Sequence, residues 1–149
     1  MTKIRVTKIF NWEMSHALYN HNGLCRNLHG HSYKMHATVF GSLIKGKKNP
    51  KWGMVIDFGD FKKIVKKEIV DEFDHSVVLC SKEDIKSITG LKSLFDRIHV
   101  VEFQPTCENL VTDFAHRIIK KLPEGVTLYS LRLYETATSY AEWFAGDQK

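Results

Sequence analysis

The chain has 149 residues, with 22 Lys and Arg against 17 Asp and Glu, a net charge of +5 and 43% hydrophobic residues. That is enough chain for a single domain, residues 1–149, with a sizeable core, and no apolar run approaches the roughly 20 residues that cross a bilayer. Lysines gather between Lys45 and Lys51 and at Lys62, Lys63, Lys66 and Lys67, most of them read as a solvated loop and a solvated helix face; the functional reading is a field that attracts an anionic substrate, and the lack of a basic stripe interleaved with aromatics argues against nucleic acid.

Residues 4–16 alternate, with Val6, Phe10, Trp12, Met14 and His16 on one parity and Arg5, Thr7, Asn11, Glu13 and Ser15 on the other. This is the pattern of a half-buried strand. Residues 17–28, with Asn20, Asn22 and Gly23, read as a turn-rich loop. Residues 31–41 alternate again, Tyr33, Met35, Ala37 and Val39 facing one way and Lys34, His36 and Thr38 the other. After a basic loop with Gly46, Asn49, Pro50 and Gly53, helical spacing sets in at Phe58, Phe61, Ile64, Val65, Ile69 and Phe73. Residues 84–96 predict a short helix or loop and 98–103 a short strand. Thr106 is a good N-cap for a second helix, with Glu108 in its first turn, Leu110, Phe114, Ile118 and Leu122 on its apolar face, and Pro123 and Gly125 ending it. Residues 126–136 and 138–145 predict two strands joined by a tight turn near Thr136-Ala137-Thr138. The expected fold is α+β: a four-stranded antiparallel sheet with two helices on one face.

Three cysteines, Cys25, Cys80 and Cys107, make no disulfide framework. Cys80 and Cys107 read as small apolar residues. The opening Met1-Thr2-Lys3-Ile4-Arg5 lacks the apolar centre of a signal peptide, so a cytoplasmic location is expected.

Strand parity concentrates the chemistry. His16 shares the face of Phe10, Trp12 and Met14, while His29 and His31 share that of Tyr33, Met35 and Val39. If the two strands pair, three imidazoles converge at one end of the sheet on its inner side, because alternate strand residues point the same way. Three histidines leave the fourth tetrahedral position of zinc open, as catalytic sites do. Cys25, four residues before His29, has two readings: a base or nucleophile beside the cation, or a fourth, structural ligand. Asp74 precedes His75, and a carboxylate can fix a histidine tautomer, as in a cysteine–histidine–aspartate relay; yet adjacent side chains rarely bond to each other. Glu135 continues the face of Tyr129, Leu131 and Leu133, where a carboxylate is costly without a partner. That partner is either a salt bridge, for instance to Arg132 or a lysine, or a ligand with paired N–H donors such as a pterin or guanine ring. His21 lies in the polar loop, and His36, His99 and His116 read as background.

Several segments together resemble one family: Ser15-His16-Ala17-Leu18, Cys25-x-x-Leu28-His29-Gly30-His31-Ser32-Tyr33, Gly53-Met54-Val55-Ile56-Asp57-Phe58, Asp74-His75, Pro105-Thr106-x-Glu108-Asn109 and Tyr134-Glu135-Thr136. In this order they are similar to the 6-pyruvoyltetrahydropterin and 6-carboxytetrahydropterin synthases. The resemblance implies the tunnelling fold (T-fold), in which the sheets of several subunits join edge to edge into a barrel. The usual assembly is a homohexamer, a dimer of trimers, with active sites at subunit interfaces. It implies zinc on His16, His29 and His31, proton transfer by Cys25 assisted by Asp74 and His75, and a pterin ring anchored by Glu135 with help from Thr106 and Glu108. The implied substrate is 7,8-dihydroneopterin triphosphate, with no nucleic acid or membrane partner.

The short spacing from Cys25 to His29, with Leu28 before the pair, resembles the bacterial 6-carboxy branch. That branch releases acetaldehyde and triphosphate and feeds queuosine (7-deazaguanine) biosynthesis. The alternative is the 6-pyruvoyl branch, which eliminates triphosphate only; from another class, the alternative is a non-catalytic module with a structural Cys/His zinc site that binds nucleotide or RNA. Two departures from the family pattern bear on the side-chain pocket: Glu13 and Met14 replace small residues, and residues 81–101 form a longer segment than in compact members.

Overall fold

The computed structural model describes residues 2–148. Strands β1 (Lys3–His16) and β2 (His29–Ser42) form its centre, antiparallel and in register from Lys3↔Ser42 to His16↔His29. Their alternation is real: Phe10, Trp12, Met14 and His16 are buried on one face, opposite Tyr33, Met35, Ala37 and Val39. Trp12 and Tyr33 are direct cross-strand partners and stack, with ring centroids 5.9 Å apart.

Helix α1 (Phe58–Val65) starts at Asp57, whose carboxylate accepts the Gly59 and Asp60 N–H groups. It continues through a π-helical segment (Lys66–Val70) into the short α2 (Asp71–Phe73). Phe61, Val65, Ile69 and Phe73 are all fully buried. A strict four-residue spacing overshoots a 3.6-residue turn, and the wider π turn compensates, keeping Ile69 and Phe73 over the sheet. Helix α4 (Cys107–Ile119) begins at its Thr106 cap and buries Leu110, Phe114 and Ile118 on the same face.

The sheet differs from the four-stranded antiparallel one expected. It has six strands in the order β4-β3-β1-β2-β5-β6, with β3 (Ser76–Cys80) and β4 (Ile98–Val101) running parallel to β1. The sequence pattern does not show β3. Its five residues are almost all buried, so they carry no apolar–polar alternation. Strands β5 (Val126–Tyr134) and β6 (Tyr140–Phe144) form the expected hairpin, with a register shift at Thr38/Val39 where β5 meets β2.

The two-helix layer also needs correction. Helix α3 (Ile85–Lys92) is a third helix and covers the opposite face. Its Ile88 packs with Ala17 and Leu79, next in sequence to the inward-facing His16 and Val78, in a cluster separate from the main core. The outer face is therefore partly roofed beside β3 and β4.

Phe114 is fully buried and edge-on to both Trp12, at 5.8 Å, and Phe73, at 5.1 Å. Phe114→Ala is expected to cost about 3–5 kcal/mol in urea unfolding. Leu94→Ala, at a side chain 72% exposed, should stay within about 0.5 kcal/mol of wild type.

Candidate metal centre and cavity

β1 ends and β2 begins at the site. His16 and His29 are paired across the ladder, and His31 lies two residues along on the same face. The three imidazoles present one nitrogen each within a cluster whose donor atoms all lie within 4.8 Å of one another. Their ring centroids are 4.6–5.2 Å apart.

Backbone carbonyls orient two of the rings. His16 Nδ1 donates to Pro105 O at 2.7 Å, and His29 Nδ1 donates to Asn27 O at 2.7 Å. Each donation fixes the tautomer and leaves a lone pair on Nε2. The two Nε2 atoms then face each other at 3.1 Å, an arrangement that repels unless a proton or a cation lies between them. His31 Nε2 is buried without a hydrogen bond; Glu135 Oε1 is 3.2 Å away, outside hydrogen-bond angle. Burial lowers the pKa of His16 and His31, outweighing the opposing pull of Glu135. Oriented imidazoles at His16 and His29 with inward lone pairs, and an orphaned nitrogen at His31, fit a borderline-soft divalent metal such as zinc.

A cavity of ≈ 350 Å³ opens beside this cluster and brings most of the predicted residues together: His16, Cys25, Thr106, Glu108 and Glu135. Cys25 rides on a short 3-10 turn (Leu24–Arg26), tied down by Leu18 N–H donating to Cys25 O at 2.9 Å. It lies outside the cluster of metal donors. The Thr106 hydroxyl accepts Asn109 N–H at 3.3 Å as the α4 cap. Glu135 does not pair with Arg132, which bonds Glu142 at 3.2 Å instead. Its carboxylate is left to the cavity and to His31. Tyr33, edge-on to His31 at 5.6 Å, has a buried hydroxyl without a partner, and burial raises its pKa.

Asp74 and His75 stand elsewhere. His75 lines a cleft with Glu13, Ser15, Ser32 and also His31, whereas Cys25 lines the other cavity. The two adjacent side chains are in charge-pair contact, His75 Nδ1 lying 2.9 Å from Asp74 Oδ1, but as expected of sequence neighbours they make no hydrogen bond to each other. His75 adopts a left-handed backbone, φ 58°.

Sequence reasoning missed Cys107, Ser139 and Tyr140 and underweighted His21, all of which line the cavity. Cys107 is half-buried, donates from Sγ to Leu133 O at 3.1 Å, and has its thiol pushed up to about 11, chiefly by burial. Its place in the Pro105–Asn109 stretch was a signal that it borders the site. His99, set aside as background, bonds Glu72 O through Nε2 at 2.7 Å.

The model of a family described as 6-pyruvoyl tetrahydropterin synthase matches residues 5–145. A 6-carboxy-5,6,7,8-tetrahydropterin synthase of Haemophilus influenzae is 38% identical over 141 residues, which cover 93% of this chain and 97% of the relative. Among solved structures, an uncharacterized protein of Wolinella succinogenes superposes with a TM-score of 0.78 at 20% identity, covering 97% of this chain and 99% of the other. The 6-pyruvoyl tetrahydropterin synthase of Caenorhabditis elegans does so at 0.69 and 19%, covering 97% of each chain. At these identities the two structures speak for the fold alone, the T-fold of that synthase.

Two outcomes follow from the geometry. His29→Ala should abolish stoichiometric zinc binding in metal analysis of the purified protein. Because its pKa is raised to about 11, Cys107 should be almost wholly thiol at pH 8, with about one part in a thousand as thiolate. Its alkylation rate, followed by peptide mass spectrometry, should climb about tenfold per pH unit until near pH 11.

Proposed function

The chain belongs to the 6-pyruvoyl tetrahydropterin synthase family, and from that premise we propose that it is a zinc-dependent 6-carboxy-5,6,7,8-tetrahydropterin synthase. It converts 7,8-dihydroneopterin triphosphate to 6-carboxytetrahydropterin, acetaldehyde and triphosphate, a lyase reaction supplying queuosine biosynthesis in the cytoplasm. The observation that carries this reading is the cavity in which a free thiol and a carboxylate lie beside His16, one of three convergent imidazoles. The Haemophilus relative, identical at 38% of aligned positions, bears the 6-carboxy name, which favours that product over the 6-pyruvoyl one.

His16, His29 and His31 hold the metal. When bound, it supplies Lewis-acid polarisation of the substrate's side-chain oxygens. Glu135 accepts the paired N–H donors of the pterin ring, and Thr106 and Glu108, at the start of α4, help to seat it. Cys25, outside the donor cluster but in the same cavity, moves protons on the substrate's side-chain carbons. Asp74, with Oδ1 2.9 Å from His75 Nδ1, assists that imidazole electrostatically in acid–base work.

His75 lines a cleft separate from its own chain's Cys25 cavity, so we assign the pair to the site of an adjacent copy in a homohexamer. This use of two clefts is consistent with an edge-to-edge barrel. No helix among the described residues is long and apolar enough to cross a membrane.

Incubation with dihydroneopterin triphosphate should release acetaldehyde and 6-carboxytetrahydropterin; 6-pyruvoyltetrahydropterin as sole product would move the protein to the sister activity. Cys25→Ala should keep zinc and fold and lose turnover by about 10²–10⁴-fold. Loss of zinc together with unfolding in that variant would instead identify Cys25 as a structural ligand.

A further inference from the structure

The turn at Asp74–His75 is held from two sides. His75 occupies the left-handed region, φ 58°, which a residue with a Cβ adopts at a cost and keeps only where its surroundings over-determine it. On one side is the backbone of β1: Glu13 N–H donates to Asp74 Oδ1 at 3.0 Å, and His75 N–H donates to Glu13 O at 2.7 Å. On the other side is the side chain of Arg97, which shares the Glu72 carbonyl with His99 Nε2. Arg97 Nε donates to Asp74 O at 3.0 Å, and its Nη2 donates to both Asp71 O and Glu72 O at 2.8 Å.

These carbonyls belong to the end of the helical run, where the last turn has no backbone partners of its own. A cation is favoured there by the helix dipole. The planar guanidinium offers a fixed fork of donors, which an ammonium lacks. Arg97 is itself anchored, because Val77 N–H donates to Arg97 O at 2.9 Å. The next residue, Ile98, pairs with Val77 across the parallel β3–β4 ladder. Helix α3 is fastened to the sheet by Ile88 against Ala17 and Leu79. Residues 81–101 thus return the chain to the end of α2 with a guanidinium in place.

We propose that Arg97 is a positioning residue for the Asp74–His75 pair, delivered by the β3–α3–β4 unit. It acts by fixing the carbonyl of Asp74 and the preceding turn, so that the strained backbone at His75 keeps its imidazole beside the Asp74 carboxylate, 2.9 Å away. The inference rests on the reading of that pair as part of the catalytic apparatus.

The test is a double-mutant cycle on the zinc-loaded enzyme with Arg97→Ala, Arg97→Lys, His75→Ala and the Arg97→Ala/His75→Ala double variant. Arg97→Ala should lower kcat by about 10- to 100-fold, the scale of a misplaced catalytic group, with KM and zinc content unchanged. Guanidinium ion added at millimolar concentration should restore part of the loss. In the His75→Ala background the same change should leave kcat where it is, since the group it positions is gone. Arg97→Lys keeps the charge but not the fork; it should also lose kcat, and it decides the matter if Arg97→Ala does not fold. Wild-type kcat in the Arg97 variants that fold, or an equal loss with and without His75, overturns the proposal. Wild-type kcat in His75→Ala overturns the reading of the pair itself, a result distinct from failure at Arg97.

Discussion

The register of β1 against β2 is the constraint on which the rest of the molecule depends. Fourteen consecutive residues of each strand pair without a break, ending at His16↔His29. Side chains repeat every two residues, so a slip of one position would turn Phe10, Trp12 and Met14 to the outer face and take His16 with them. The apolar core and the imidazole cluster are therefore specified by the same alignment. Burial of Tyr33, Met35, Ala37 and Val39 favours a single register, and that register brings two Nε2 atoms to 3.1 Å. Hydrophobic burial thus holds together polar groups that would separate on their own.

Around this centre the fold offers fixed backbone groups. The Pro105 carbonyl, just before α4, sets the ring of His16, and the Asn27 carbonyl, just before β2, sets that of His29. Both acceptors are main-chain atoms in the segments that deliver the other cavity residues: Thr106 and Glu108 follow Pro105, and Cys25 precedes Asn27. Orientation of the metal donors and placement of the thiol and acids thus share their supports. On the opposite face, Glu13 and Arg97 treat the Asp74–His75 turn in the same manner, through backbone hydrogen bonds.

Much of the site was legible in the amino-acid order because strand parity is a strong signal. His16, His29 and His31 could be assigned to one face from their apolar neighbours, and the Thr106 cap was plain from the run that follows it. The failures have physical causes. Strand β3 is buried along nearly its whole length and too short to show a period. Its omission made the sheet look antiparallel and hid the parallel half. Helix α3 has a glycine at Gly90 and mostly exposed residues, so its attachment through Ile88 left little trace in the pattern. The Asp74–His75 turn carries one positive φ, which composition does not announce at a histidine. Glu135 was correctly singled out as an acid on an apolar face, but its neighbour His31 comes from a strand more than a hundred residues earlier.

The central claim is that three imidazoles hold a divalent metal and that the nearby thiol stays free of it. X-ray absorption at the zinc edge of the metal-loaded protein reads this directly. The account predicts nitrogen or oxygen neighbours alone, at about 2.0–2.1 Å, with multiple-scattering features of three imidazoles. A sulfur neighbour at about 2.3 Å would contradict it, because Cys25 would then be a ligand and the open coordination position would be gone.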